Sequence, residues 1–429
     1  ICQEELKFAH TSGDARQICT AATSLGLAYF QNKKHQEGLR NFREATQIAI
    51  ELEDLGLQVH CLGMKTLAYQ IAARLPDAYK AALEIEALAD EKQDLSIKCD
   101  ALASQGQILL DSGDERGAFE RFFAAQEIAN SLQDKRRQMN ILGALGNYSL
   151  VIAAVKQAEE NFKQAYVLAH ELNDRKNEIG FLGNLGATLE LKGDLGDAAR
   201  IFLEVLDYLR ETGDLDAQMQ ALRYLTQVYR KQEDAENVIK YALQAIEIAR
   251  SGDVEIPLVI YEALILAYYQ QERMEDALTA TTDAVKVAHG SGNRQQEMNF
   301  LLSLGESYML AGKVEEALEI YRKAREKAKK LDRHNVEAYL IGRIGVALAE
   351  LNQVEEAIQH HKEALEIARQ MKLVDVEGEQ LSMLAMAYLD MDDNEKARKY
   401  ALSAIQVYSD ARMEEEVNKV RQILAGIDA

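Results

Sequence analysis

The chain has 429 residues, a net charge of −21 and two prolines, Pro76 and Pro257. Alanine, leucine and glutamate, which are good helix formers, are abundant, and helix interiors exclude proline, so the composition predicts an all-α protein. A nucleic-acid-binding protein needs a basic stripe that contacts phosphates. The densest basic segment, 323–330, also contains Glu326, so we expect no nucleic-acid partner.

The cysteines indicate the cellular location of the protein, and the longest uncharged run indicates whether the chain enters a membrane. Cys2, Cys19, Cys61 and Cys99 lie far apart, without the close pairs of ligands that zinc sites need. We interpret them as buried reduced thiols of a cytoplasmic protein. The uncharged run 138–155 contains polar side chains and fits the repeat described below, so we predict a buried helix there and no membrane insertion.

A repeat of 40 residues organises the chain. Residues 135–174 align with residues 175–214, so that Gly146 falls on Gly186. A fixed period of this length is the signature of a repeat array. The residues that close the ten units are Asp54, Asp94, Asp134, Asp174, Asp214, Asp253, Asn293, Arg333, Leu373 and Met413. We predict a truncated or capping helix in 1–14, ten repeats in 15–413 and a C-terminal capping helix in 414–429.

Each unit has two apolar-periodic halves joined by a short polar link. The first half carries a large residue followed by a small one, such as Leu145 and Gly146, and the second places Ala158, Phe162 and Ala165 on one helical face. Glycine inside a helix costs about 1 kcal/mol relative to alanine, so we attribute its repeated use to the close passage of another helix backbone. Link glycines are expected to end the first helix in the left-handed conformation. Each unit is therefore predicted to be a helical hairpin.

These residues resemble the tetratricopeptide repeat family, whose first helix carries a Leu-Gly/Ala pair and whose second carries Ala, Phe and Ala. The resemblance covers 15–413, but the period exceeds the family's usual length of about 34 residues. Similar long repeats occur in kinesin light chains, cell-polarity adaptors and bacterial signalling proteins. The resemblance implies an α-solenoid of stacked antiparallel helical hairpins that forms a right-handed superhelix, with first helices lining a concave groove. It also implies partner binding and not chemistry.

With that geometry, the residues that line the groove are defined by their sequence positions relative to the glycine of each first helix. They lie one and four positions after it and three and six positions before it. Gly180, Gly183 and Gly342 are expected to leave room for a ligand backbone, and Arg223 with Arg230 to bind carboxylates. The opposing interpretation is an ordinary solvated helix face. The candidate partner-binding residues are Asn147, Gln220, Arg223, Gln227, Arg230, Glu262, Tyr269, Asn299, Glu306 and Tyr339. A chaperone-tail clamp needs Lys paired with Asn, and Asn147 has no such Lys, so we argue against that activity.

No motif predicts catalysis: the chain lacks GxxxxGK[ST], GxSxG and HExxH. The adjacent His360 and His361 point in different directions on a helix, and His361 occupies the position of Phe122, so we interpret it as a buried helix histidine. We predict a non-catalytic scaffold that needs no cofactor or metal and binds a protein or peptide segment in its groove. The alternative is a ligand- or peptide-sensing array of a larger bacterial regulatory protein. Because the array starts within a repeat, we expect a fused N-terminal module that this chain lacks.

Overall fold

The computed structural model describes residues 2–252 and 254–428. It forms two compact units, Ile1–Asp214 and Leu215–Ala429, called here the N-terminal unit and the C-terminal unit. Within the described residues all regular secondary structure is α-helical, which confirms the predicted fold class. The boundary residue Asp253 lies outside the described residues, and the division into ten repeats with a capping helix at each end stays a prediction.

The helices of the N-terminal unit are α1 (Cys2–Ser12), α2 (Ala15–Gln31), α3 (His35–Glu51), α4 (Leu55–Ile71), α5 (Leu75–Lys92), α6 (Leu95–Asp111), α7 (Glu115–Ser131), α8 (Lys135–Val151), α9 (Val155–Glu171), α10 (Arg175–Lys192) and α11 (Leu195–Thr212). The helices of the C-terminal unit are α12 (Leu215–Lys231), α13 (Ala235–Ser251), α14 (Leu258–Gln270), α15 (Met274–Gly290), α16 (Arg294–Leu310), α17 (Val314–Lys330), α18 (His334–Glu350), α19 (Val354–Met371), α20 (Val374–Asp390), α21 (Asn394–Asp410) and α22 (Glu414–Asp428).

Consecutive helices pack against each other as hairpins within each unit. The even-numbered helices from α2 to α20 are the first helices of these hairpins, and the odd-numbered helices from α3 to α21 are the second. First helices of neighbouring hairpins also contact one another, as α6 does with α8 and α18 with α20. This arrangement forms an inner layer of first helices and an outer layer of second helices. The inner face is defined here as the solvent-exposed side of the first helices.

Regularly spaced aspartates begin the first helices of the N-terminal unit. Asp94 accepts a hydrogen bond from the backbone N–H of Ser96 at 2.9 Å, and Asp134 accepts one from Arg137 at 3.0 Å. The backbone N–H of Arg137 also lowers the pKa of Asp134. An aspartate at the N-cap satisfies backbone donors that lack a partner in the first helical turn. The residues that close the repeats in sequence therefore start the next helix in structure.

The glycine that follows the large residue in a first helix faces an aromatic ring, so the expectation of a passing helix backbone is wrong. An added Cβ at Gly106 would lie 2.7 Å from the ring of Phe122, and one at Gly146 would lie 2.5 Å from the ring of Phe162. In each case the ring comes from the second helix of the same hairpin, sixteen positions later in the sequence. The same contact recurs at Gly26/Phe42, Gly186/Phe202, Gly305/Tyr321 and Gly345/His361. The absent side chain makes room for a buried ring.

A left-handed residue ends most helices. Gly113, Gly193 and Gly312 have φ values of 84°, 93° and 69°, which confirms the predicted role of the link glycines. Alanine occupies the same conformation at Ala73 and Ala153, with φ values of 54° and 57°. Alanine pays a conformational cost there that glycine does not. The hairpin geometry therefore imposes the turn even where the sequence gives no sign of it.

The cysteines form no disulfide among the described residues. Cys19, Cys61 and Cys99 are buried free thiols, and Cys2 is partly buried. The Sγ atoms of Cys19 and Cys61 lie 3.2 Å apart between α2 and α4. Burial raises the pKa of Cys99 to about 11, so this thiol is protonated at neutral pH. No helix among residues 2–252 and 254–428 has both the length and the apolar character needed to cross a membrane.

At five junctions, polar pairs join the end of a second helix to the first helix of the next hairpin. Their members lie eight residues apart in sequence, and their chemistry differs from one junction to the next. The contacts are Asp90–Lys98 at 2.6 Å, Asn130–Gln138 at 3.1 Å, His170–Glu178 at 3.2 Å, His289–Glu297 at 2.9 Å and Arg369–Glu377 at 2.8 Å. Matched pairs at one position help to fix the stacking of adjacent hairpins.

Candidate protein-binding surface

In the N-terminal unit, the predicted surface is open. Asn147 is exposed on α8, and its side chain makes no hydrogen bond with any other described residue. On α10, a Cβ added at Gly180 or Gly183 would meet no atom within 4 Å. The space expected beside these two glycines is therefore present on the inner face.

The two predicted arginines of α12 differ in their surroundings. Arg223 donates from Nε to Oε1 of Gln220 at 3.0 Å, and its guanidinium lies 4.2 Å from the ring centre of Tyr224. Arg230, at the C-terminal end of the same helix, is exposed and has no ion pair with another described residue. Gln227 between them is half-buried. Arg223 is thus held on its own helix, whereas Arg230 is available to an anionic group.

The polar residues of α14 and α16 have separate roles. Glu262 is exposed and has no ion pair with another described residue, and Asn299 accepts a hydrogen bond from Gln295 at 3.3 Å. The hydroxyl of Tyr269 hydrogen-bonds to that of Ser307, and burial raises the pKa of Tyr269. Tyr269 therefore joins α14 to α16, while Glu262 and Asn299 face solvent.

Glu306 and Tyr339 meet at a residue that the sequence interpretation did not select. Arg343 of α18 places Nε 2.8 Å from Oε1 of Glu306 on α16 and donates to the hydroxyl of Tyr339 at 2.8 Å. Its Nη1 lies 3.8 Å from Oε1 of Glu379 on α20. We call these four residues the Arg343 cluster. The cluster connects three successive first helices and exposes about a third of each charged side chain, 33% for Glu306, 29% for Arg343 and 31% for Glu379.

The expectation for Gly342 is wrong. A Cβ added there would lie 2.5 Å from Nε2 of Gln380, so the side chain of Gln380 fills the space that was assigned to a ligand. Gln380 is buried, and its Oε1 lies 2.8 Å from Nδ1 of His361. Burial lowers the pKa of His361, which favours the neutral ring. His361 is therefore a buried, hydrogen-bonded helix histidine, as predicted.

Several inner-face residues escaped the sequence interpretation. Glu379 lies six positions before Ala385, which occupies the glycine position of α20, so the positional rule finds it once it is extended to this hairpin. Arg343 lies two positions before Gly345 and falls outside the rule. Exposed apolar side chains were also missed; in the C-terminal unit they include Val259, Leu266 and Met386. No group of three or more His, Cys, Asp or Glu side chains suited to a metal ion occurs among the described residues.

Within each unit the fold is an array of stacked helical hairpins whose neighbouring first helices lie side by side. Residues 296–370 match a family model described as tetratricopeptide repeat, and residues 381–410 match a second model with the same description. These two segments of the C-terminal unit are therefore similar to tetratricopeptide repeats. A comparison of the sequence with curated proteins finds no match.

Among solved structures, the chain is similar to a signal transduction ATPase with a tetratricopeptide repeat sensor from Pyrococcus horikoshii. The two are 15% identical with a TM-score of 0.48, over 77% of this chain and 49% of that one, so the chain spans about half of the Pyrococcus protein. It is also similar to BtubC from P. vanneervenii, with 19% identity and a TM-score of 0.41 over 51% of this chain and 92% of that one. It is also similar to a putative kinesin light chain from Podosopora anserina, with 16% identity and a TM-score of 0.37 over 44% of this chain and 94% of that one.

Proposed function

We propose that the protein is a non-catalytic scaffold that binds a protein or peptide segment along the inner face of its C-terminal unit. The observation that carries this proposal is the mixture of exposed apolar and unpaired polar side chains on that face. Leu266 and Met386 expose 45% and 44% of their surface, and Arg230 and Glu262 have no ion pair with other described residues. Protein interfaces combine apolar anchors with polar groups that set orientation in this way.

The tetratricopeptide repeats of residues 296–370 and 381–410 support the same function, because repeat arrays of this type present extended surfaces to protein partners. The buried free thiols of Cys19, Cys61 and Cys99 support the expected cytoplasmic location. A nucleic-acid partner is disfavoured by the net charge of −21.

Two leucines with the same exposure, one in each layer, provide a test of the proposed surface. Leu266 on the inner face and Leu243 on α13, in the outer layer, are both 45% exposed. We expect Leu266→Glu to remove partners captured by the full chain from a cell lysate, since loss of an interface anchor weakens binding by about 2 kcal/mol or about 30-fold. Leu243→Glu should keep them. The measurement is quantitative mass spectrometry of captured proteins, with circular dichroism as a folding control. Retention of every partner by Leu266→Glu would overturn the proposed surface.

The second candidate function, a ligand-sensing array, is favoured by a pocket of about 570 Å³ beside α14. This helix has 13 residues, whereas the other first helices have 17 or 18, and the chain before it runs through Pro257 without helical structure. The missing turn leaves a space lined by residues that include Ile246, Arg250, Ile256, Tyr261, Asp283 and Lys286. Small-angle scattering separates the two functions, because a sensor changes its compactness when a ligand is added and a scaffold gains mass with little change of shape.

A further inference from the structure

Two buried thiols face each other between neighbouring hairpins of the N-terminal unit. The Sγ atoms of Cys19 on α2 and Cys61 on α4 lie 3.2 Å apart, and both side chains are 0% exposed. The thiol of Cys19 donates to the backbone oxygen of Ala45 at 3.3 Å, which leaves Cys61 to donate to the Sγ of Cys19. The sulfurs of a disulfide lie about 2 Å apart, so an approach of about 1 Å would bring these two to bonding distance.

The fully buried residues that pack with this pair are small. Ala22 of α2 and Ala45 and Ala49 of α3 belong to the same buried cluster as the two cysteines, and each of these alanines is 0% exposed. The two cysteines are 42 positions apart in sequence, and the whole of α3 lies between them. A bond between their sulfurs would therefore join the first helices of two successive hairpins.

The same repeat position two hairpins later provides an internal comparison. Cys99 on α6 lies two repeats after Cys19, is also buried, and donates to the backbone oxygen of Ala125 at 3.3 Å. In both cases the acceptor lies 26 positions after the cysteine. Ile141 stands two repeats after Cys61 and belongs to the same buried cluster as Cys99. The two sites therefore match in burial and in hydrogen bonding, but only the first places a second sulfur beside the thiol.

We propose that Cys19 and Cys61 are a site of reversible oxidation by hydrogen peroxide, which joins α2 to α4 through a disulfide. One thiolate attacks the peroxide; an S–O bond forms, the O–O bond breaks and hydroxide leaves, which gives a sulfenic acid. The second thiolate attacks the sulfenic sulfur; the S–S bond forms and a second hydroxide leaves. The two thiols lose two electrons to the peroxide, and their two protons convert the two hydroxides to water.

The rate of this oxidation is limited by access to the sulfurs. Burial raises the pKa of both Cys19 and Cys61, and the thiolate is the form that reacts. Oxidation therefore requires transient local opening of the hairpins and is expected to be slow. The disulfide then restrains further opening of α2 and α4, because it links the two helices covalently. This inference concerns the N-terminal unit and does not depend on the proposed binding surface.

The test treats the reduced full chain with hydrogen peroxide under native conditions, removes the excess with catalase and blocks the remaining thiols in denaturant. Cys2, Cys19, Cys61 and Cys99 fall in four different tryptic peptides, so mass spectrometry identifies every linkage. We expect a Cys19–Cys61 linkage as the main intramolecular product, which dithiothreitol removes, with Cys99 left unlinked. Hydrogen exchange of the α2 and α4 amides should become about tenfold slower after oxidation, and that of α6 and α8 should change less than about twofold.

Cys61→Ala is the matched control, because alanine occupies the equivalent position of the next repeat at Ala101. Peroxide should produce neither a linkage at Cys19 nor slower exchange in this variant. Oxidation of the wild-type chain in concentrated urea is a control that needs no variant, and it should give mixed linkages. The proposal is overturned if the native chain forms no Cys19–Cys61 linkage, if it gives the same mixture as the unfolded chain, or if peroxide slows exchange equally in Cys61→Ala.

Discussion

Phe162→Ala is expected to lower the free energy of unfolding by about 3–5 kcal/mol. The ring of Phe162 is fully buried and fills the space that Gly146 leaves on the first helix of its hairpin. Truncation removes apolar contacts and leaves a cavity between two helix backbones that cannot close completely. Urea denaturation followed by circular dichroism measures the loss, and hydrogen exchange of the α8 and α9 amides locates it.

Phe123→Ala is the control for that change. Phe123 is 48% exposed on α7, where it stacks on Phe119 with ring centres 6.0 Å apart. Its truncation returns little surface to water and opens no cavity, so the expected loss is less than about 1 kcal/mol. Equal losses for the two phenylalanines would contradict the account of the hairpin core.

Alanine substitutions at two glycines of the first helices are expected to have opposite effects. At Gly180 an added Cβ meets no atom within 4 Å, so Gly180→Ala should stabilise the protein by about 0.5–1 kcal/mol through helix propensity. At Gly106 the Cβ would lie 2.7 Å from the ring of Phe122. Gly106→Ala should therefore destabilise the protein, because overpacking costs about 1–3 kcal/mol and outweighs the gain in propensity. Thermal or urea denaturation of both variants measures whether each substitution raises or lowers the free energy of unfolding.

A second substitution separates overpacking from other causes. Phe122→Leu in the Gly106→Ala background should recover part of the loss, because the smaller side chain withdraws from the added methyl group. The coupling is obtained from the four free energies of unfolding of the double-mutant cycle. Additive effects, or stabilisation by Gly106→Ala, would show that the ring of Phe122 does not require glycine at position 106.

The sequence predicted the hairpins because their determinants are local and periodic. The aspartates that cap the first helices and the Ala158, Phe162 and Ala165 spacing each depend on residues within one hairpin. It did not predict why Gly146 is needed, since helix propensity shows only that glycine is unfavourable and cannot distinguish a neighbouring ring from a neighbouring backbone. The left-handed conformation of Ala153 was not predicted either, because the hairpin geometry overrides the preference of alanine for negative φ.

Less of the binding surface could be predicted from the sequence. Positional rules selected Glu306 and Tyr339 separately, but their meeting at Arg343 depends on the stacking of α16 against α18 and its neighbours. The filling of Gly342 by Gln380 depends on contact between α18 and α20. These interactions join residues about one repeat apart in sequence, and a single chain gives no periodic signal for them.

The central claim is that partners lie on the inner face of the C-terminal unit, and site-specific photo-cross-linking tests it most directly. Benzoylphenylalanine would replace Glu262 on α14 in one protein and Glu319 on α17 in another; both positions are exposed, one in the inner layer and one in the outer. Irradiation in lysate followed by mass spectrometry would identify the cross-linked proteins. The account predicts partner cross-links from position 262 and none from position 319. Cross-links from position 319 alone would place the partner on the outer layer and contradict the account.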